Sequence, residues 1–142
     1  MIKEFYNELK ELKNRFNEAT TEEEKDLIRK DFKALHTKIE EKGKGFTEVF
    51  KLYETSQERE NSRLDLGENC IWEKDVPELL KALDDAKIKE MTFSSTWSSS
   101  NKIAFEFFKA GWKITGMTLV NTYKKWPDEG YEQEPAFIFT RG

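Results

Sequence analysis

Phe93-Ser94-Ser95-Thr96-Trp97-Ser98-Ser99-Ser100-Asn101 decides the fold class of this chain. Lys89 to Ser94 has the look of a short strand, with Met91 and Phe93 on one face. Ser100 to Ala110 reads as a helix, with Ile103, Ala104, Phe107 and Phe108 turned inward and Gly111 as its natural stop. A strand that runs into a helix through a polar loop is the local signature of a sheet covered by helices. Ligands of open α/β sheets meet the protein just past the carboxyl ends of strands. Hydroxyls gathered at a helix start suit an anion or a polar partner group. One serine is enough to cap a helix, so a run of five around one tryptophan marks Ser94, Ser95, Thr96, Trp97, Ser98, Ser99 and Asn101 as a candidate binding surface. The run lacks the glycines and the lysine of a phosphate loop.

C-terminal to this junction, Lys113 to Tyr123 alternates as a strand. Ile114, Gly116, Thr118, Val120 and Thr122 share one face, and Thr115, Met117, Leu119, Asn121 and Tyr123 the other. Neither face is strongly apolar, so the expectation is a strand covered on both sides. Ala136 to Thr140 is the last strand, antiparallel across a long turn. That turn carries Tyr123, Trp126 and Tyr131 beside lysines and acids, the composition of an interface hot spot. On the N-terminal side, Val76 to Ala86 reads as a helix behind Asp75, with Pro77 in its first turn. Leu64 to Leu66, or Asn69 to Trp72, supplies a first short strand. Right-handed crossovers then predict a parallel core with one antiparallel edge strand.

Residues 1–60 are helical in pattern. Ile2, Phe5, Leu9, Leu12 and Phe16 recur at spacings of three and four, one stripe of a helix. Thr21-Glu22-Glu23-Glu24 has capping-box spacing, with the acids where a helix dipole favours them. Ile28, Phe32, Leu35 and Ile39 continue the stripe, which resumes in phase with Phe46, Val49 or Phe50, and Tyr53. The reading is one long second helix from about residue 22 to about 60, in which Gly43 and Gly45, each costing about 1 kcal/mol relative to alanine, leave open a bend or a break. The whole is an α+β, or α/β, chain: a helical hairpin arm over 1–60, then a small mixed-sheet domain over 61–142, in the order β-α-β-α-β-β. Because the second arm outruns the first, its far end must pack on the sheet domain or on a partner.

Composition narrows the function. The chain has 142 residues, 37% of them charged, a net charge of −4 and an aromatic content of 13%. That aromatic content argues against disorder. Charges are mixed; residues 1–44 hold 11 bases and 11 acids, and only residues 67–90 lean acidic, with 7 acids to 4 bases. Without a basic stripe, direct binding to duplex nucleic acid is not expected. A single cysteine, Cys70, allows neither an intrachain disulfide nor a multi-cysteine metal site, and it fits a reducing compartment. With no leader-like or membrane-spanning stretch, a cytoplasmic location is expected.

Catalytic chemistry finds few footholds. His36, the only histidine, falls off the apolar seam and is expected to be an exposed helix residue, so no Ser-His-Asp set can be assembled without it. Asp84-Asp85 and Glu22-Glu23-Glu24 are runs suited to solvated helix faces rather than spaced ligand sets. Asp65 is an acid or metal-ligand candidate if it sits at a strand end facing the serine loop. No cofactor is expected.

The Lys/Glu-rich hairpin, Ile71-Trp72-Glu73 with Val76-Pro77-Glu78-Leu79, and Phe93-Ser94-Ser95-Thr96-Trp97-Ser98-Ser99 together resemble a family of small uncharacterised proteins carried on mobile elements and phages of Firmicutes. The resemblance carries no catalytic residue. It implies an accessory protein that binds host machinery, such as an anti-CRISPR inhibitor of a Cas9-type nuclease. The sequence expectation is therefore a non-enzymatic module binding a host protein, without membrane contact. Two alternatives stand beside it: a nucleotide or small-ligand domain using Ser94 to Asn101, and a homodimer joined through the helical hairpin.

Overall fold

A computed structural model describes residues 2–67, 73–94, 100–124 and 130–142. Helix α1 spans Ile2–Glu18 and α2 spans Glu22–Glu40. Thr21 caps α2 as its sequence foretells, its Oγ1 accepting from the Glu24 amide at 3.2 Å, but the Glu24 carboxylate accepts from the Thr20 amide, at 3.2 Å, rather than from that of Thr21 as a capping box would have it. The two helices lie face to face, with the Phe16 and Phe32 rings edge-on at 6.5 Å and the Lys25 and Arg29 cations over Phe16.

The expected long second helix does not form. The chain turns at Gly43, where φ is +110°, and a third helix, α3, occupies Lys44–Glu58. Only glycine takes this backbone conformation without a Cβ penalty. The apolar stripe kept its phase because both helices bury it, although they run in different directions. Phe5 meets Phe46, Tyr6 meets Tyr53, and the Lys13 ammonium pairs with Glu54 and Glu58. These contacts show α3 returning along α1. Burial in this seam, followed by the nearby Glu58 carboxylate, pushes the Tyr6 phenol up from its ordinary pKa.

Gly45 has a different reason. A Cβ there would lie 2.7 Å from the Glu78 carbonyl oxygen and 3.4 Å from the Ala82 Cβ. The missing side chain lets α3 lie against α4, Val76–Asp85. The unmatched end of the second arm is thereby accounted for within the chain: α3 packs on α4 and on strand β1, Leu64–Asp65.

Strands β2, Glu90–Phe93, β3, Lys113–Lys124, and β4, Tyr131–Thr140, complete a four-stranded sheet in the order β1-β2-β4-β3. Only β1 and β2 are parallel, at an edge; β4 is antiparallel to both its neighbours. The predicted parallel core is thus corrected. β2 and β3 do run the same way around helix α5, Ser100–Lys109, but they leave a strand-wide gap. The β3–β4 hairpin returns into that gap, so β4 pairs on both sides.

One continuous core runs from Ile2 in α1 to Phe139 in β4. At its sheet end the rings of Phe93, Phe107 and Phe139 meet edge to face, with centroids 5.4 to 6.3 Å apart. Fully burying one such side chain is worth about 1.5–3 kcal/mol.

Candidate functional site

Strand register settles which side chains share a face. Met91 pairs with Phe139, Phe93 and Met117 with Phe137, and Leu119 with Pro135, so all of these look to the same side. Helix α5 covers the β2 half of that side by placing Phe107 on Phe93 and Phe139. It stops short of the hairpin half, and there the apolar side chains are open to solvent. Met117 is 62% exposed and Leu119 57%, and Phe137 and Ile114 are also exposed.

The helix adds to this surface. Phe108 was expected inward, but only Ile103 and Phe107 of that set are buried; Phe108 is 63% exposed and stacks on the exposed Phe105, with ring centroids 6.5 Å apart and planes 18° apart. Lys109 lies over the Phe105 ring at 5.3 Å and pairs with Glu106 at 2.9 Å. Between α5 and the hairpin runs a cleft of about 160 Å³, lined by Phe93, Ser94, Asn101, Ala104, Met117 and Phe137, among others. Counted together, these six side chains of the helix and the hairpin expose roughly 600 Å², the upper end of the range for the largest apolar patch of a monomer.

Strict alternation misassigned two members of β3. Register shifts between Ile114 and Gly116, and between Asn121 and Tyr123, each insert one extra residue. Ile114 thereby joins the Phe139 side, and Tyr123 moves to the side of Val120. The expectation that β3 is covered on both faces is likewise overturned.

The residues singled out from sequence separate into three groups. Ser94 and Asn101 do meet at the cleft. Ser94 is buried, however, and its hydroxyl donates to Asp65 Oδ2 at 2.8 Å. Tyr123 is exposed, whereas the Tyr131 hydroxyl donates to the Glu58 carbonyl at 3.0 Å and closes the end of α3. Ser95, Thr96, Trp97, Ser98, Ser99 and Trp126 lie outside the described residues, as does Cys70.

Asp65 faces the serine junction as anticipated. Its carboxylate accepts from Thr92 Oγ1 at 2.8 Å, from Ser94 Oγ, and from the Gly67 amide at 3.3 Å, while its own amide donates to Ser56 Oγ at 3.0 Å. These bonds tie α3, β1 and β2 together around one buried carboxyl group. Among the described residues no group of three His, Cys, Asp or Glu side chains could hold a metal ion. His36 is exposed on α2.

What distinguishes the molecule is thus a helix-backed sheet of the α+β class with exposed aromatic and aliphatic side chains on one face. The family described as Domain of unknown function (DUF7698) matches residues 48–141, and the chain belongs to it. The match begins inside α3, so the family unit joins most of that helix to the sheet. No curated protein and no solved structure matches the chain. Among the described residues no helix is long and apolar enough to cross a membrane.

Sequence reasoning missed Phe105, Phe108, Leu119, Phe137 and Met117 as surface residues. The available signal was on α5. Three Phe within four positions cannot all face one core, and Ile103 with Phe107 already supplies the inward i, i+4 pair.

Proposed function

We propose that this protein is a non-enzymatic protein-binding module, and that its partner is received on the surface formed by Phe105 and Phe108 of α5 with Met117, Leu119 and Phe137 of the hairpin. The observation that carries the reading is this group of large apolar side chains left outside while the rest of the core closes without them. The aromatic members are the residue types that anchor interfaces. The helical arm spends its apolar stripes inside the chain, with Leu27 its one exposed large apolar side chain among the described residues. That favours the sheet end over the arm as the contact surface.

A narrower form of the reading rests on the sequence resemblance: an accessory protein of a mobile element or phage, whose partner is a host defence nuclease of the Cas9 type. The test uses tagged wild type beside a Phe105→Ser, Phe108→Ser variant in a host lysate, followed by reconstitution with the purified retained protein. Retention and direct binding by wild type alone support the reading. Equal retention by both proteins would sink it, and a retained partner that is not a nuclease would sink the narrower form.

A further inference from the structure

β3 is an edge strand twelve residues long, and among the described residues a side chain from outside the sheet closes its outer rim at one point. There the Asn61 side chain acts as a neighbouring strand would. Its Oδ1 accepts from the Asn121 amide at 2.8 Å, and its Nδ2 donates to the Asn121 carbonyl at 2.9 Å. Register is regular from Gly116 to Asn121, so alternation turns the amides and carbonyls of Leu119 and Met117 to the same outer rim. The usual protections of an edge are missing from this stretch. It contains no proline, its only charges, Lys113 and Lys124, are at its ends, and both bulges lie outside residues 116–121.

We propose that this rim pairs with β3 of a second copy of the chain, antiparallel about a two-fold axis at Thr118. This axis sets Met117 of each copy opposite Leu119 of the other, uses all the outward positions, and forms about four backbone hydrogen bonds. Asn61 bounds the ladder at either end and so fixes its register. Met117 and Leu119 cover one another, which explains two of the most exposed apolar side chains in the molecule.

Charge placement selects a second copy over an unrelated strand. Lys113 pairs with Thr140, and Glu134 with Val120, so the lysine and the glutamate look to the same side at opposite ends of the hairpin. Neither has an ion-pair partner among the described residues. Glu60 stands at the glutamate end too, one residue before Asn61. On this face the hairpin is basic at its start and acidic beside its end, and so complementary to its own reverse. The two-fold brings Lys113 of each copy to the Glu134 end of the other. It also sets the two Phe137 faces side by side, so a partner meets one doubled surface. The dimer shares Met117 and Leu119 with the surface proposed for a partner, but Phe105 and Phe108 lie off the rim, so the two readings can fail separately.

Sedimentation of the full chain tests the proposal. The expected mass is twice the 16.8 kDa of the chain. Leu119→Pro removes one outward amide without touching the β3–β4 ladder, and should halve the mass while the circular dichroism and melting profile hold. In a Cys70→Ser background, Thr118→Cys places two thiols across the axis and should give a disulfide-linked dimer under mild oxidation, whereas Lys113→Cys should not. Wild type that stays monomeric at its highest soluble concentration overturns the proposal. So does a dimer that gives no Thr118→Cys cross-link. Phe105→Ser, Phe108→Ser should keep the dimer mass, which separates this result from failure of the partner surface.

Discussion

The helical arm and the sheet end treat their apolar residues in opposite ways. In α1 and α2 nearly every apolar side chain of the stripe is spent inside, against the neighbouring helix or α3. In α5 and the hairpin, comparable side chains divide between a closed aromatic cluster and an open surface. A helical stripe has a fixed angular width, so what it buries follows from period alone. A sheet face has no such limit; it is buried only as far as the helix above it reaches. The molecule thus teaches where to look for function: at the margin where α5 stops covering the sheet.

The sharpest way to break this contrast lies within two adjacent residues. Phe107→Ala should cost about 3–5 kcal/mol, since the ring is fully buried against Phe93 and Phe139. Phe108→Ala should stay within about 0.5 kcal/mol, as befits an exposed side chain. Urea unfolding of both variants decides it, and equal costs would mean that the outer rings are part of the core.

Next comes the junction between the two regions. Asp65→Ala strips the acceptor from Thr92, Ser94 and the Gly67 amide and should cost about 3 kcal/mol. Asp65→Asn, which keeps part of the acceptor, should recover some of it. A loss below about 0.5 kcal/mol for Asp65→Ala would remove this carboxylate from the account of how α3 joins the sheet.

Gly45→Ala measures how closely the helical part is pressed on α4. The added methyl meets the Glu78 carbonyl at 2.7 Å, a backbone atom, and the expected cost is about 1–3 kcal/mol. A stabilised variant, as for an ordinary helix glycine, would show that α4 gives way. The smallest effect belongs to the arm alone: Thr21→Ala should lower stability by about 1 kcal/mol through loss of the α2 cap. Thermal melting reads this, and no change would mean that packing on α1 holds the start of α2 without it.

Much of the framework was legible. The α1 stripe, the Thr21 cap, the Asp75–Pro77 start of α4, the positive-φ stop at Gly111, β3 and the second half of β4 all follow from residue type and period, whereas the first half of β4, from Tyr131 to Pro135, reads in sequence as part of a long turn. The break at Gly43 was not, because an apolar period that keeps its phase is the same for one bent helix and for two helices sharing one core. Of the proposed site, Asn101 and Tyr123 are exposed as expected. Ser94 and Tyr131 turned out to hold the frame together. A hydroxyl fits a ligand and a buried acceptor equally well until the acceptor is in place, and Asp65 is 29 positions away from Ser94.

The sequence by itself determined the α+β class, the Thr21 cap, and the side chains that local periodicity assigns to a core, because these depend on neighbours within a few residues. Only the tertiary structure decided the strand order, the role of each glycine, and the open face of Phe105, Phe108, Met117, Leu119 and Phe137. The physical reason is reach. Exposure on a sheet depends on how far a helix from elsewhere in the chain extends across it, and two bulges shift which residues it meets. Neither quantity is written in any local stretch of residues.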